Sequence, residues 1–268
     1  MGKPGKRHIT SGALLMFASV AGAQESAEDL AKKLSNPVAA MISLPLQLNY
    51  DEEIGPEREG SRTSLNIQPV VPITINETWN VISRTILPVI DQSDVFPGSD
   101  GATGIGDITQ SLFFSPKMPT SGGLIWGAGP AFLLPTGSDG ELSAKKWAIG
   151  PTFVLLKQKK SLTYGLLANH LWSVAGDDDR NDISSTFLQP FLSHTTKTAW
   201  TYSVNLESGY DWKVEQWSVP INVSIGKLKK VGGMPMSFTG GVRYWAESTD
   251  NGPHGWGARF VVTLLFPK

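Results

Sequence analysis

Three histidines beyond the first segment, His170, His194 and His254, could serve as bases. A Ser–His hydrolase needs its base within hydrogen-bond reach of the nucleophile. His170 shares an alternating face with Leu166, Ala168 and Trp172, while Asn169 and Ser173 take the opposite face. That parity separates the groups a triad would join, so no catalytic residue is assigned and the chain reads as a non-enzyme. An acidic run, Asp177, Asp178 and Asp179 with Asp182, surrounds Arg180. Calcium favours such oxygens, but the run lacks the ligand spacing and the glycine of a calcium loop. No metal centre is assigned; Asp177, Asp179 and Asp182 are the weak candidates. Gly104-Ile105-Gly106 and Gly127-Ala128-Gly129 resemble pieces of a nucleotide fingerprint, yet no helix follows to face a phosphate. The chain has no Cys, which excludes disulfides, thiolate metal sites and a thiol nucleophile. No cofactor is expected.

The elements that would position these residues are long two-faced strands. In the last stretch, Trp256, Ala258, Phe260, Val262, Leu264 and Phe266 form one face, and Gly257, Arg259, Val261, Thr263 and Leu265 the other. Strict alternation marks a strand with different surroundings on its two sides. Earlier, Thr201, Ser203, Asn205, Glu207, Gly209 and Asp211 oppose a face carrying Trp200, Tyr202, Val204 and Leu206. Ser218, Pro220, Asn222, Ser224 and Gly226 likewise oppose Trp217, Val219, Ile221, Val223 and Ile225. A polar inner face implies a wet interior.

Twelve such strands are expected between Leu44 and Phe266, most of them 10–14 residues long. Globular strands average about 5–6 residues, whereas a tilted membrane-spanning strand needs about 9–11. Long connections (Asp51–Thr63, Asp91–Ile105, Thr136–Lys145, Ala175–Ile183) alternate with shorter ones (Asn76–Glu77, Lys117–Gly123, Lys159–Ser161, Lys197–Thr198). Only Trp212–Gln216 is short for its side. All 9 Trp fall near expected strand ends, where interfacial girdles place them. The expected fold is therefore all-β, an antiparallel transmembrane β-barrel of about twelve strands with a short N-terminal helix. One feature conflicts with it. Pro69, Pro72, Pro88, Pro130, Pro151, Pro190 and Pro220 fall inside strands, although proline belongs at edges and bulges. A closed barrel has no edges, so several bulges are required.

The chain of 268 residues divides into three parts. Residues 1–23 read as a signal peptide: a basic start, a short apolar run and the small-residue site Ala21-Gly22-Ala23. About 12 apolar residues are too few for a helix that must span a bilayer. Residues 24–43 carry a helix over Glu25–Ser35, with Ala27, Leu30, Ala31 and Leu34 on one side, ended at Asn36-Pro37. It would sit at the periplasmic mouth or inside as a plug. Residues 44–268 form the barrel. The expected location is the outer membrane after export, with both termini in the periplasm. Net charge of −1 gives no sign of a nucleic-acid partner. The expected partners are outer-membrane lipid and lipopolysaccharide, the barrel-assembly machinery, and an unidentified small solute.

Long stretches resemble a family of bacterial outer-membrane proteins labelled transporter-like or "meta-pathway of phenol degradation", some of them mislabelled neuromedin U. The stretches are Ser111–Ser138 (SLFFSPKMPTSGGLIWGAGPAFLLPTGS), Trp147–Gln158, Leu167–Arg180, Gln189–Trp212 and Gly241–Lys268. They cover nearly all the chain after the first segment. The resemblance implies a barrel and passage of small solutes, aromatic or hydrophobic compounds among them. It supplies no catalytic residues.

The residues expected to line the lumen are Asn205, Glu207, Asn222, Arg243 and Arg259. Counting pairs outward from the turns sets Glu207 level with Pro220, Pro220 with Arg243, and Arg243 with Arg259. Opposed like charges are unfavourable, so the arginines call for a carboxylate nearby. A Glu207–Arg243–Arg259 cluster is one expectation; an arginine pair solvated by lumen water is the other. Three functions stay open. They are passive passage of small solutes, a non-conducting structural or adhesion barrel, and a membrane-embedded enzyme.

Overall fold

The computed structural model describes residues 25–98 and 100–266, so the expected signal peptide lies outside the described residues. One helix, α1 (Ala27–Leu34), precedes twelve staves of antiparallel sheet. They are β1 (Ile42–Ile54), β2 (Gly60–Ile67 and Val70–Thr74), β3 (Trp79–Ser93), β4 (Ala102–Ile105 and Ile108–Pro116), β5 (Leu124–Leu134) and β6 (Lys146–Lys159). The second half comprises β7 (Leu162–Gly176), β8 (Ser184–Thr195), β9 (Trp200–Leu206 and Ser208–Asp211), β10 (Gln216–Val231), β11 (Met234–Glu247) and β12 (Gly255–Phe266). Each stave pairs with its sequence neighbours, and β12 closes the ring on β1 from Ile42↔Phe266 to Tyr50↔Ala258. No described helix is long and apolar enough to cross a membrane. A closed sheet satisfies its backbone without edges, which is what a strand in lipid requires.

The outward face is apolar along its middle and aromatic at its ends. Phe114, Phe153, Leu155, Val223, Val242 and Phe260 are exposed, as are Trp147, Trp172, Trp200, Trp212, Trp217 and Trp256. Water would not leave such a belt uncovered; lipid covers it. At the outer rim, Tyr210 packs edge-on against Trp212 at 4.8 Å and lies 4.9 Å from Trp217. Trp79 meets Trp126 at 5.7 Å at the opposite rim. One tryptophan departs from the expected girdle. Trp245 turns inward and donates its indole N–H to Asp51.

The prolines are absorbed by interruptions. β2 breaks at Gln68-Pro69, β4 breaks beside Pro88 where Gly106 donates to the Pro88 carbonyl, and β9 breaks at Glu207 beside Pro220. Pro130 and Pro151 face each other across β5–β6. On the far side of each, the paired residues skip from Ser111/Ala131 to Phe114/Ala128, and from Ile149/Trp172 to Thr152/Asn169. A proline lacks one donor and so disturbs one neighbour only. The adjacent glycines permit close approach there. A Cβ on Gly129 would lie 2.0 Å from the Leu112 carbonyl oxygen, and one on Gly150 would lie 1.8 Å from that of His170.

The first expected stave ended at Asn49 and left Asp51–Thr63 as a loop. In the structure β1 runs to Ile54 and β2 begins at Gly60, so the connection shrinks to residues 55–59. The chain Asn49-Tyr50-Asp51-Glu52-Glu53 is highly polar, which disguises a strand whose Asn49 and Asp51 face a polar lumen.

Residues 25–41 fill the mouth at the end of the ring where β1 begins and β12 ends. Ser26 caps α1 by accepting from the Asp29 N–H at 3.1 Å, with Glu28 and Asp29 in the first turn and Lys32 and Lys33 in the last. The apolar side, Leu30 and Ala31, is buried with Met41, Ala199, Leu228 and Leu265. From the opposite wall, Gln158 of β6 donates to the Lys32 carbonyl at 2.8 Å. Contacts to both walls place the helix across the mouth, inside the ring. Past its end, Val38 enters a second apolar cluster with Ile82, Phe113, Val154, Leu156 and Leu167.

Candidate functional site: the barrel lumen

Glu207 owes its position to the break in β9. Its N–H donates to the Pro220 carbonyl at 3.2 Å, while the strand segments resume on either side. Its carboxylate receives a two-pronged donation from Arg259 of β12, Nη1 to Oε1 at 2.8 Å and Nη2 to Oε2 at 2.7 Å. Planar guanidinium matched to planar carboxylate is the strong form of this contact. Arg259 Nε donates in turn to Asn49 of β1 at 2.7 Å. β9 and β12 are not neighbours, so the pair forms a chord across the lumen.

A second pair lies beside it. Arg243 Nη1 donates to Asp51 Oδ2 at 2.8 Å, and Trp245 Nε1 donates to Oδ1 of the same carboxylate at 2.9 Å. The three expected charges thus come near one another, but only one of the expected contacts forms. Glu207 belongs to Arg259, and Arg243 belongs to Asp51. The register explains the change. Glu207 is level with Pro220 as expected, but Pro220 pairs with Trp245, Asn222 with Arg243, and Arg259 with Gly241. The hairpin turns set the difference: β10–β11 reverses tightly at Gly232-Gly233 from the pair Val231↔Met234, and β11–β12 begins at Trp245↔Gly255, so each register lies two residues from the expected one, which preserves inward parity and separates the two arginines along the wall.

Asn205 and Asn222 face each other across β9–β10, Asn222 Nδ2 donating to Asn205 Oδ1 at 3.0 Å. Beside them, Asn222 Oδ1 and Arg243 Nε are buried with no partner among the described residues. Residues missed from the sequence are Asn49, Asp51, Arg62, Arg84 and Trp245. Arg62 Nε donates to Gln92 at 2.9 Å, and Arg84 Nη2 to Gln68 at 3.1 Å. The alternation Gln47, Asn49, Asp51 carried the signal for two of these, once β1 is allowed past Asn49.

Two cavities stack on either side of the Arg259–Glu207 chord. The outer, about 480 Å³, is walled by Asp51, Arg62, Arg243 and Trp245 and by Asn251–Pro253 of an outer loop. The inner, about 460 Å³, is walled by Arg84, Asn169, Gln189 and Asn205 together with Ile86, Leu171, Phe187 and Val261. Four guanidinium groups and two carboxylates line the pair, leaving two positive charges in excess. One step toward α1 the lining changes. Arg84 gives way to Ile82, Ser111 to Phe113, Asn169 to Leu167 and Gln189 to Phe191. That apolar layer, sealed by Val38, is the floor of the inner cavity.

The other candidates lie elsewhere. His170 sits on the outer wall, 4.1 Å from the Trp172 ring, with Nδ1 2.7 Å from the Thr186 hydroxyl. His194 is on the outer wall too, and His254 contacts the Gly252 carbonyl in an outer loop. Asp182 accepts from Ser173 at 3.1 Å and lies 3.4 Å from Lys146. The Ser173 hydroxyl, then Lys146, hold its carboxyl below the usual carboxylate range. Asp177 accepts from the Asp179 N–H at 3.1 Å in a local turn. No group of three acidic, His or Cys side chains gathers as a metal site among the described residues.

A closed ring with an apolar belt, aromatic rims and a charged lumen defines an antiparallel transmembrane β-barrel of the outer-membrane type. Neither a family model nor a curated protein matches the sequence. The fold is similar to that of an outer membrane channel from Pseudomonas putida F1, at TM-score 0.66 and 12% identity, over 85% of this chain and 96% of that one. An outer membrane phospholipase A from Escherichia coli aligns over 84% of this chain and 92% of its own, at 9% identity and TM-score 0.47. A likeness that faint carries no argument about activity.

Proposed function

We propose that this chain is an outer-membrane channel for passive passage of small solutes. The observation that carries this reading is the pair of polar cavities stacked along one lumen and separated by the Arg259–Glu207 chord. A barrel needing only structural strength gains nothing from polar chambers and excess positive charge on its axis. The similar Pseudomonas fold, a channel by its description, supports the same reading. Solutes enter the outer cavity, pass the chord and reach the inner chamber, whose part-apolar wall suits small compounds with a hydrophobic or aromatic portion. Onward passage requires residues 25–41 to shift from the periplasmic mouth. Currents across planar bilayers containing the pure folded protein test this. Discrete conductance steps are expected; a heat-modifiable barrel that never conducts, even without residues 25–41, would refute it.

The filled mouth favours a second reading, a closed barrel with a structural or adhesive role. The same recordings separate the two.

A further inference from the structure

We infer that the inner chamber is a binding site for a small monoanion with an apolar body, of which a medium-chain carboxylate is the simplest, with Arg84 as its anchor. This rests on the reading of the lumen as a solute path. Of the arginines around the two cavities, Arg259 and Arg243 already hold carboxylates. Arg84 lines the chamber with a neutral amide, Gln68, as its hydrogen-bond acceptor, and no carboxylate lies within ion-pair distance of it among the described residues. Glu207 is the carboxylate whose charge reaches it, and both Glu207 oxygens are engaged by Arg259. A guanidinium has five N–H donors in a fixed fork, which matches a carboxylate in two-pronged fashion.

The chamber then decides what the anion carries. Ile86, Leu171, Phe187 and Val261 share the wall with Arg84, and the Ile82–Phe113–Leu167 layer closes the bottom. A volume of about 460 Å³ falls in the range of small-molecule sites. A bare ion would leave the apolar wall uncovered. An uncharged alcohol would leave the guanidinium without a counter-charge. Each methylene buried against such a wall strengthens binding roughly fourfold. Hexanoate has four more methylenes than acetate, so even partial burial favours it by about tenfold or more.

The test uses folded protein in detergent micelles at pH 7 and equilibrium dialysis of radiolabelled hexanoate, which reads binding without conduction. Saturable binding is expected, displaced at least about tenfold less effectively by acetate or hexanol than by unlabelled hexanoate. Arg84→Gln should lower affinity at least tenfold, and Arg84→Lys should restore only part of it, because the charge returns without the fork. Phe187→Ala should weaken hexanoate but not acetate, which keeps the test decisive where an Arg84 variant does not fold. Absence of saturable binding to the folded protein, equal affinity in Arg84→Gln, or equal competition by acetate or hexanol overturns the site. A protein that conducts but does not bind retains the channel and loses the site. One that binds but never conducts retains the site and loses the channel.

Discussion

Glu207 and Asp51 each neutralise one arginine in the lumen, and replacing either carboxylate with its amide changes charge with little change in shape. Glu207→Gln leaves Arg259 with Asn49 as its remaining hydrogen-bonded partner and raises the excess positive charge, so ion selectivity should shift toward anions. Asp51→Asn should do the same through Arg243, a partnership absent from the expected pairing. Arg243→Gln should shift selectivity toward cations. Reversal potentials under a salt gradient read all three, and unmoved potentials in a conducting protein would separate these residues from permeation. Gly150 belongs at this scale too, because a methyl there meets the His170 carbonyl oxygen at 1.8 Å. Gly150→Ala should force β6 from β7 and cost about 1–3 kcal/mol, as overpacking does. A lower temperature of loss of the heat-modifiable form on gels checks it; an unchanged temperature would mean that the wall yields. Inward parity was legible for Glu207, Arg243 and Arg259 because alternation has a period of two. Partner identity was not. It depends on where each hairpin turns, at Gly232-Gly233 and ahead of Gly255, and a slip of two residues leaves a period-two pattern unchanged.

Among the elements, α1 was legible from the spacing of Ala27, Leu30, Ala31 and Leu34 and from the stop at Asn36-Pro37. Its seat was not. Leu30 could face any apolar surface, and only the closed ring brings Leu228, Leu265 and Met41 around it. β1 was truncated for the opposite reason, since Asn49 and Asp51 look like loop residues until the lumen they face is known. Five of the seven intrastrand prolines, which stood against a barrel, sit at its breaks or skipped pairs. Pro69, Pro88 and Pro220 each accompany an interruption, and the one beside Pro220 places Glu207 on the axis. If α1 closes the mouth through Leu30, then Leu30→Asp should loosen it, because a buried unpaired carboxylate is strongly unfavourable. Single-channel steps should grow or open more often, and deletion of residues 25–41 should exceed that effect. Equal conductance in wild type and both variants would show that the segment is no barrier.

At the scale of the whole molecule, the sheet stands or falls on closure. β12 pairs with β11 from Met236↔Leu264 to Trp245↔Gly255, and with β1 from Ile42↔Phe266 to Tyr50↔Ala258. Truncation after Gly255 therefore leaves two unpaired edges. Each unsatisfied backbone group in hydrocarbon costs several kcal/mol, with no water to replace the lost partner. A soluble sandwich could survive the loss of a terminal strand by exposing an edge to water. A lipid-facing ring cannot, because its apolar belt excludes that refuge. The full chain should fractionate with outer membranes and migrate differently before and after boiling. The truncated chain should give no heat-modifiable form there, and should be degraded or aggregated instead. Normal levels of folded truncated protein in the membrane fraction would mean that β1 and β11 can close on each other without β12, and recovery of the full chain as a soluble periplasmic monomer would overturn the membrane assignment itself.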